Sequence, residues 1–379
     1  MGKGVESHVE LLVSFVGCQT NVETTKGQPI AYGPAQHLGL ALARPERVVS
    51  RQRVKIVTSL DARFSSCTEL REIFRPLSPD LVALQLSCGN LEGRVHVKNF
   101  GIFKLSILET NQSLFLSGSR RTKLESCTIA IPLDTYSPQH VYRAQGIAMP
   151  WPGFIGYNQC LIDFDLKLPV KAKLATLIIA KEELLKRQAK YANSLLSLER
   201  FKTTNQLEVS PEQYQKLRQC LDALLKRDSE TWQPSKPDHL IQLVMACFSD
   251  TDAQTMPIAK RETRHQAAIE LLHWCAQNPK QVRTIDELSA ELYQSRTSIF
   301  KGSKEHFDRS PLEVQRSIRM DRVRQLLLDP ARCQMLGLRG VGAIAAELGF
   351  TSRSHFAKRY QEMYGEQAQT TLSRQHQGQ

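Results

Sequence analysis

The chain has 379 residues, of which 41% are hydrophobic, and it carries a formal net charge of +12 at pH 7. This length predicts roughly two or three domains, and the composition is that of a globular protein with enough apolar residues to form cores. The positive charge fits a nucleic-acid partner, although an acidic membrane surface would attract it too. Neither a transmembrane segment nor a signal peptide is predicted.

The nine cysteines are spread along the chain. No two of them form a CxxC pair, and no Cys/His group has the spacing of a zinc site. We therefore predict reduced, mostly buried thiols in a cytoplasmic protein, with no metal and no cofactor. Residues 1–50 are predicted as an N-terminal extension, whose apolar run at residues 9–18 is too short to span a membrane.

Residues 51–180 follow the period of β-strands. Val95 and Val97 alternate with polar residues, and Phe103, Leu105 and Ile107 begin another such run. Clusters of Gly, Asn and Ser separate the runs, which is typical of antiparallel strands joined by hairpins. We predict a mainly antiparallel β domain that forms a small barrel or sandwich.

From residue 181 onward the apolar period becomes helical. Residues 181–250 are predicted to form a helical connecting or dimerisation segment, with one helix that begins at Ser210-Pro211. Residues 251–263 are predicted as a linker, and residues 264–374 as a C-terminal all-α domain. The fold class is therefore α+β. A homodimer is compatible with the leucine-rich helices, although such stripes more often form the core of a single chain.

The stretch 341–360, VGAIAAELGFTSRSHFAKRY, has the pattern of a helix, a tight turn and a second helix. Gly349 suits the left-handed conformation that ends many helices, and Ser352 suits the N-cap of the next one. Phe356 and Tyr360 lie on one side of the second helix, while basic and polar residues cover the other. A helix-turn-helix that places its second helix in the DNA major groove has this pattern, and so does an ordinary helical hairpin.

The same pattern occurs a second time upstream, in residues 284–307. Thr284 and Glu287 have the spacing of a capping box. Ser295 suits the N-cap of a second helix from Arg296 to Phe307. The repetition favours the DNA-binding interpretation over the helical hairpin.

Between the two units, the sequence predicts one helix that begins at Pro311 and ends before Pro330. Its apolar residues fall on two opposite stripes, which predicts a helix held between two small domains. One stripe holds Val314, Ile318 and Leu328, and the other holds Leu312, Met320, Val323, Leu326 and Leu327. Arg319 interrupts the second stripe.

A helix from Ser310 to Leu328 would be roughly 28 Å long. Successive major grooves lie about 34 Å apart, so this helix has about the right length to place two recognition helices in neighbouring grooves.

Residues from about 266 to 374 resemble the DNA-binding domain of the arabinose-regulator (AraC/XylS-type) family of bacterial transcription regulators. The second unit carries this resemblance in Ile344-Ala345, Gly349-Phe350, Phe356, Tyr360 and Tyr364-Gly365. The first unit carries it in Leu288, Leu292, Ser295, Ile299, Ser310-Pro311 and Arg319-Met320. Residues 86–95, LSCGNLEGRV, resemble the corresponding domain of regulators of the ethanolamine-operon type. The resemblance implies that the β domain is a sensor or dimerisation unit.

The resemblance also implies which side chains reach the DNA bases. They are Thr297, Phe300 and Lys301 in the first unit, beside the outward-facing Arg296, and Arg353, Ser354, Ala357 and Lys358 in the second unit. Phe300 and Ala357 can make only apolar contacts, for example with a thymine methyl group. We refer to these eight positions as the reading residues.

Five positions depart from the family pattern. Tyr293 stands where a turn Gly is common, which predicts a looser turn, and Ser303 stands where a core Phe is usual. Asp308 replaces a Gly, and Glu366-Gln367 replaces a pair of the Ser-Pro type. The first unit is the weaker match, so we expect it to contribute more to positioning than to reading.

The sequence contains no phosphate-binding Gly loop, nucleophile elbow or paired His motif, and it predicts no enzymatic activity. It predicts a sequence-specific transcription regulator, acting as an activator. The predicted partners are double-stranded promoter or operator DNA, RNA polymerase and a small-molecule effector. Two alternatives stay open. One is a ligand-responsive interaction protein whose helix-turn-helix units no longer read DNA. The other is a DNA-repair enzyme with a thiol acceptor, which would need an activated Cys275 or Cys333.

Overall fold

The computed structural model describes residues 59–119, 126–134, 141–158, 161, 163–190, 203–225, 235–249, 254–258 and 262–374. The predicted extension, residues 1–50, lies outside this part of the chain, as do Cys18 and Cys160. Within the described residues, every strand lies before residue 258, and helices joined by turns fill the chain from residue 263 to residue 374. The predicted α+β class with a C-terminal all-α domain is confirmed.

A large antiparallel sheet forms the centre of the N-terminal domain, with strand order β1-β3-β4-β11-β6-β9-β12-β13. Its strands are β1 (Ser59–Phe64), β3 (Gly93–Asn99), β4 (Phe103–Thr110), β6 (Ser126–Pro132), β9 (Gly153–Ile155), β11 (Lys173–Ala180), β12 (Thr204–Glu208) and β13 (Gln254–Pro257). Val95 and Val97 of β3 are buried between partly exposed neighbours, as the predicted alternation requires.

A second antiparallel sheet has the order β2-β5-β10-β7-β8. Its strands are β2 (Val82–Gln85), β5 (Leu114–Ser119), β7 (Arg143–Ala144), β8 (Ile147–Ala148) and β10 (Asp163–Leu168). Leu108 of the large sheet and Leu116 of the second sheet belong to one buried cluster, so the two sheets pack face to face. Each sheet keeps two edge strands, and the arrangement is a sandwich rather than a closed barrel.

Helices cover the other face of the large sheet. Phe103, Leu105 and Ile107 of β4 pack there with α3 (Pro211–Leu225) and α4 (Ser235–Ser249). Because both faces of this sheet are covered, β4 is buried at most of its positions instead of at every second one. The predicted helix start at Pro211 is confirmed.

Strands also occur in the segments predicted as connections. Thr204–Glu208 lies within the segment 181–250, and Gln254–Pro257 lies within the predicted linker 251–263. These two strands pair with each other at one edge of the large sheet. The remaining N-terminal helices are α1 (Cys67–Phe74) and α2 (Lys181–Lys190).

The C-terminal domain consists of α5 (Thr263–Gln277), α6 (Ile285–Leu292), α7 (Arg296–Phe307), α8 (Pro311–Leu328), α9 (Pro330–Met335), α10 (Gly340–Glu347), α11 (Arg353–Tyr364) and α12 (Ala368–Arg374). Side-chain caps fix where several of these helices begin. The predicted capping box of Thr284 and Glu287 is present at α6. A second box, which the sequence analysis missed, joins Ser310 and Glu313 at α8. Hydrogen bonds from Ser310 lower the pKa of Glu313 to about 2.

Helix α8 is buried on nearly every side, because it joins the two helix-turn-helix units. Val314 and Ile318 belong to the core of the first unit. Met320 and Val323 belong to the core of the second unit, together with Leu326 and Leu327. The predicted two stripes are therefore confirmed for these residues. Leu312 and Leu328 are the exceptions. Leu312, the second residue of the helix, is 49% exposed, Leu328 is partly exposed, and neither belongs to either core.

A third side of α8 faces the β domain through polar side chains. The buried carboxylate of Asp321 accepts hydrogen bonds from the backbone amides of Cys67 and Thr68, at 2.8 and 3.0 Å, and from Thr68 Oγ1 at 2.7 Å. These amides belong to the first turn of α1, where backbone donors lack partners inside the helix. Arg324 Nε donates to Ser65 O at 3.0 Å. Helix α8 thus joins the two helix-turn-helix units and also holds the β domain.

The second sheet contributes an apolar part to the same domain contact. Its outer face places Val82, Leu84 and Phe115 in the core of the first helix-turn-helix unit. The rings of Phe115 and Phe307 meet edge to face with their centroids 4.9 Å apart. His273 Nε2 lies 3.0 Å from Ser117 Oγ. The β domain and the C-terminal domain are therefore packed directly against each other.

We predict that Asp321→Ala lowers the free energy of unfolding by about 2–4 kcal/mol, because it leaves buried donors of α1 without an acceptor. Asp329→Ala is the matched control. Asp329 caps α9 by accepting from Arg332 N within the C-terminal domain, and its loss should cost about 1 kcal/mol. Urea denaturation of the two variants measures both values. Equal losses would contradict a special role for Asp321 at the domain contact.

Candidate nucleic-acid interface

The first helix-turn-helix unit has a closed turn. Tyr293 ends α6 in the left-handed conformation, with φ 53° and ψ 34°, and the residue is 94% exposed. Gln294 N donates to Ser289 O at 3.2 Å, and Ser289 Oγ donates to Gln294 O at 2.7 Å. The looser turn predicted for Tyr293 is therefore wrong, because Tyr293 adopts the backbone conformation that Gly would otherwise provide.

The first four reading residues lie on the outer face of α7. Arg296, Thr297, Phe300 and Lys301 are all exposed, whereas Ile299 points into the core. Phe300 leaves 49% of its surface in solvent, which is unusual for a Phe and leaves an apolar contact open. Arg296 Nε forms an ion pair with Asp286 Oδ1 at 2.5 Å. Arg296 would have to exchange this partner to reach DNA.

The second unit has the geometry that its sequence predicted. Gly349 takes φ +76° at the turn, and the Ser352 side chain caps α11 by accepting from His355 N at 3.4 Å. Phe356 and Tyr360 are buried on the inner side of α11, and Tyr364 extends this row by one turn. The helix therefore runs four residues further than the predicted end at Tyr360.

The other four reading residues lie on the outer face of α11. Arg353, Ser354, Ala357 and Lys358 are all exposed. Their spacing places them within two turns at the N-terminal half of the helix, on a face that adjoins the buried row. The structure thus brings the eight reading residues together as two groups, one on α7 and one on α11. An ion pair between Lys280 and Glu347 also connects the two units across their surfaces.

Arg319 of α8 holds the turn between α10 and α11, a role that its sequence position did not predict. The residue is only 8% exposed, and its Nη1 lies 3.4 Å from both Leu348 O and Gly349 O. Its guanidinium group also lies over the ring of Phe350, 4.9 Å from the centroid. These carbonyl groups end α10 and have no partner within that helix. The charge that interrupts the apolar stripe therefore supports the turn before α11.

The remaining departures from the family pattern also have partners. Ser303 is fully buried and donates to Arg309 O at 2.7 Å, so its hydroxyl is satisfied where an apolar ring was expected. Asp308 ends α7 in the left-handed conformation, with φ 56°. Glu366 is 8% exposed and forms an ion pair with Arg324 at 2.8 Å. None of these substitutions interrupts the helices around it.

Cys275 and Cys333, the two thiols that a thiol-acceptor enzyme would need, are both buried. Burial raises the pKa of Cys275 to about 12, and burial also raises the pKa of Cys333, so neither thiol is activated. In this part of the chain, no group of three or more His, Cys, Asp or Glu side chains is arranged to hold a metal ion. No described helix has both the length and the apolar character that a bilayer span requires.

Comparison with known proteins gives one sequence match. The profile of a helix-turn-helix domain family matches residues 288–374, from within α6 to the end of α12. No curated protein matches the chain. The family match covers both reading helices and the helix that joins them.

Several solved structures are similar to parts of the chain. One is a probable AraC family transcriptional regulator from Rhodopseudomonas palustris. It is 29% identical, covers 29% of this chain and 97% of its own, and has a TM-score of 0.27. Another is the AraC-like transcriptional activator CuxR, with 13% identity, coverage of 65% and 89%, and a TM-score of 0.36. ToxT from Vibrio cholerae has 10% identity, coverage of 83% and 97%, and a TM-score of 0.26. These TM-scores are low, so the evidence for a helix-turn-helix domain is the profile match to residues 288–374.

Proposed function

We propose that residues 288–374, which match the profile of a helix-turn-helix domain family, form a DNA-binding domain of the AraC type, and that the protein reads DNA sequence through two recognition helices and thereby regulates transcription. The observation that carries the proposal is the exposure of all eight reading residues on α7 and α11. An ordinary helical hairpin would also expose one face, so the support for DNA reading is that this face recurs on the second helix of both units within the matched helix-turn-helix domain.

In this proposal, each unit makes two kinds of contact, one with DNA phosphates and one with base edges. The backbone amides at the N-termini of α7 and α11, with the exposed cations beside them, would bind phosphates and fix the register. Arg353 and Lys358 can donate hydrogen bonds to base edges, whereas Phe300 and Ala357 can only contact a thymine methyl group. The net charge of +12 would strengthen both kinds of contact at low salt.

We further propose that the protein is an activator, located in the cytoplasm, and that a small-molecule effector acts on its β domain. The direct packing between the β domain and α8 supports this control, because a change in the sandwich would reach the helix that joins the units. RNA polymerase is the partner that activation would require. A homodimer is compatible with this proposal but is not needed, because one chain carries two units.

The alternative is an interaction protein whose units have lost the ability to read DNA. The departures at Tyr293 and Ser303 were its main support. The closed turn and the hydrogen-bonded serine favour the DNA-reading candidate, because both units keep intact helices with exposed cationic faces. The thiol-acceptor enzyme is disfavoured by the raised pKa of the two buried cysteines.

Selection of bound DNA from a random pool by the purified protein, at near-physiological salt, tests the proposed function. We expect an enriched motif with two short elements about one helical turn apart. A motif with a single element would mean that one unit reads while the other only binds the backbone. If no motif is enriched, even when a cell extract supplies an effector, the interaction-protein alternative replaces the proposal.

The reading role of α11 predicts that Arg353→Ala and Lys358→Ala each weaken binding to the selected site by about 1–3 kcal/mol and relax specificity at one base pair. Arg359→Ala is the matched control. Arg359 is also exposed on α11, but it lies on the opposite side of the helix from the reading residues and pairs with Glu362 at 3.2 Å. Binding titrations against single-base variants of the site measure these effects. Equal weakening on every sequence would assign Arg353 and Lys358 to phosphates instead of bases.

A further inference from the structure

A loop of the β domain lies against the C-terminal end of the second recognition helix. The loop consists of residues 86–91 between β2 and β3, and we call it the capping loop. Gly89 N donates a hydrogen bond of 2.8 Å to Met363 O, in the last turn of α11. The two segments also lie side by side, since a Cβ atom on Gly365 would be in ordinary van der Waals contact with Gly89 Cα, at 4.0 Å.

Asn90 makes the second contact between the capping loop and this helix end. With its amide nitrogen toward the neighbouring oxygens, Asn90 Nδ2 donates to Tyr364 O at 2.8 Å and to Glu366 Oε1 at 3.1 Å. The backbone of the same residue stays in the β domain, because Asn90 O accepts from Asn111 Nδ2 at 2.8 Å and from Gln112 Nε2 at 3.2 Å. Asn90 therefore joins the two domains through one side chain.

These contacts supply what the end of a helix lacks. The last four carbonyl groups of an α-helix have no partner inside it. In α11, Gly365 N satisfies Gln361 O at 2.8 Å from within the C-terminal domain. The capping loop supplies donors for two more carbonyls, those of Met363 and Tyr364. The β domain thus completes the C-terminal cap of a DNA-reading helix.

The capping loop is held rigidly on its own side. Gln85 Nε2 donates to Ser87 O and to Gly89 O, each at 2.8 Å. Gly89 takes φ +123°, a conformation that L side chains rarely adopt, and a Cβ atom there would lie 2.5 Å from Gln112 Nε2. These contacts hold the conformation of the loop between the sheet and α11.

Glu366 anchors the other side of the contact. Its Oε1 accepts from Arg324 Nη1 at 2.8 Å and from Thr371 Oγ1 at 2.9 Å, besides the bond from Asn90. Glu366 is one of the positions at which this chain departs from the family pattern. The departure and the capping loop therefore form a single buried contact between α8, α11 and the β domain.

A small tilt at this end of α11 would move the reading residues. Arg353 and Lys358 lie up to about 15 Å along the helix axis from the capped end. A rotation of roughly 10° about that end would shift the N-terminal side chains by about 2–3 Å, which exceeds the tolerance of a hydrogen bond. The position of the capped end therefore determines the orientation of the reading residues on α11.

We propose that Gly89 and Asn90 of the β domain are positioning residues for DNA reading by the second unit. The capping loop holds the C-terminal end of α11, and through it the β domain sets how well α11 fits its DNA element. This inference rests on the proposed DNA-reading function. It assigns a role to the stretch 86–95, which sequence resemblance alone had singled out.

The test compares Asn90→Ala with Asn99→Ala in the full chain, on DNA with both selected elements and on DNA whose second element is scrambled. Asn99 is the matched control, because it caps a turn of the β domain by accepting from Gly101 N at 3.0 Å. We expect Asn90→Ala to weaken binding to the two-element DNA by about 5- to 20-fold and to leave binding to the scrambled DNA unchanged. Asn90→Asp should weaken it more, since it places a carboxylate beside Glu366.

Hydrogen exchange on the wild-type chain gives a second readout that does not depend on the folding of a variant. Coupling is reciprocal, so two-element DNA should slow exchange of the Gly89 amide, and DNA with a scrambled second element should not. Asn90→Ala binding as tightly as Asn99→Ala, or losing affinity equally on both DNAs, would overturn the inference while the proposed function stands. A wild-type chain without any sequence preference would overturn both.

Discussion

Helix α8 is buried on three sides, and the arrangement of the whole C-terminal half depends on that constraint. Two of its sides are apolar and complete the cores of the two helix-turn-helix units. The third side is polar and accepts the first turn of α1 from the β domain. A helix in this position cannot rotate or slide without exposing one of the cores. The relative placement of the two reading helices is therefore built into one rigid element.

Buried polar groups give this assembly its orientation. Asp321, Arg324 and Arg319 are all largely buried, and each faces backbone or side-chain partners from another element. Such groups cost free energy when they are removed from water, so they stabilise the structure only in the one arrangement that satisfies them. Apolar faces alone would tolerate several docking angles. The hydrogen-bonded charges select one angle for α8 between the β domain and the second unit.

The sequence predicted best what depends on neighbouring residues. The capping box at Thr284, the caps at Ser295 and Ser352 and the left-handed Gly349 all follow from local patterns, and the structure contains each of them. The two apolar stripes of α8 were also predicted, because the spacing of apolar residues along a helix can be read without knowing which elements pack against it. All eight reading residues are exposed for the same reason, although their contacts with DNA stay a prediction.

The sequence could not predict contacts between distant segments. Asp321 finds its partners more than 250 residues away, and Arg319 finds its own 29 and 30 residues away. A helical pattern shows these residues only as two charges among the several charged residues of this helix. The prediction for Leu312 was wrong for the opposite reason. Its position on an apolar stripe predicted burial, but the core that this stripe completes does not extend to the start of the helix. The edge strand Gln254–Pro257 was missed because only its pairing with β12 distinguishes it from a linker.

The most direct test of α8 as a rigid spacer is the affinity of the protein for sites in which the distance between the two DNA elements changes one base pair at a time. Each added base pair moves the second element by about 3.4 Å and rotates it by roughly 35°. A rigid α8 predicts one preferred spacing, with affinity falling at least about tenfold within two base pairs on either side. An affinity that stays level across the series would show that the two units move independently, and it would contradict the role assigned to this helix.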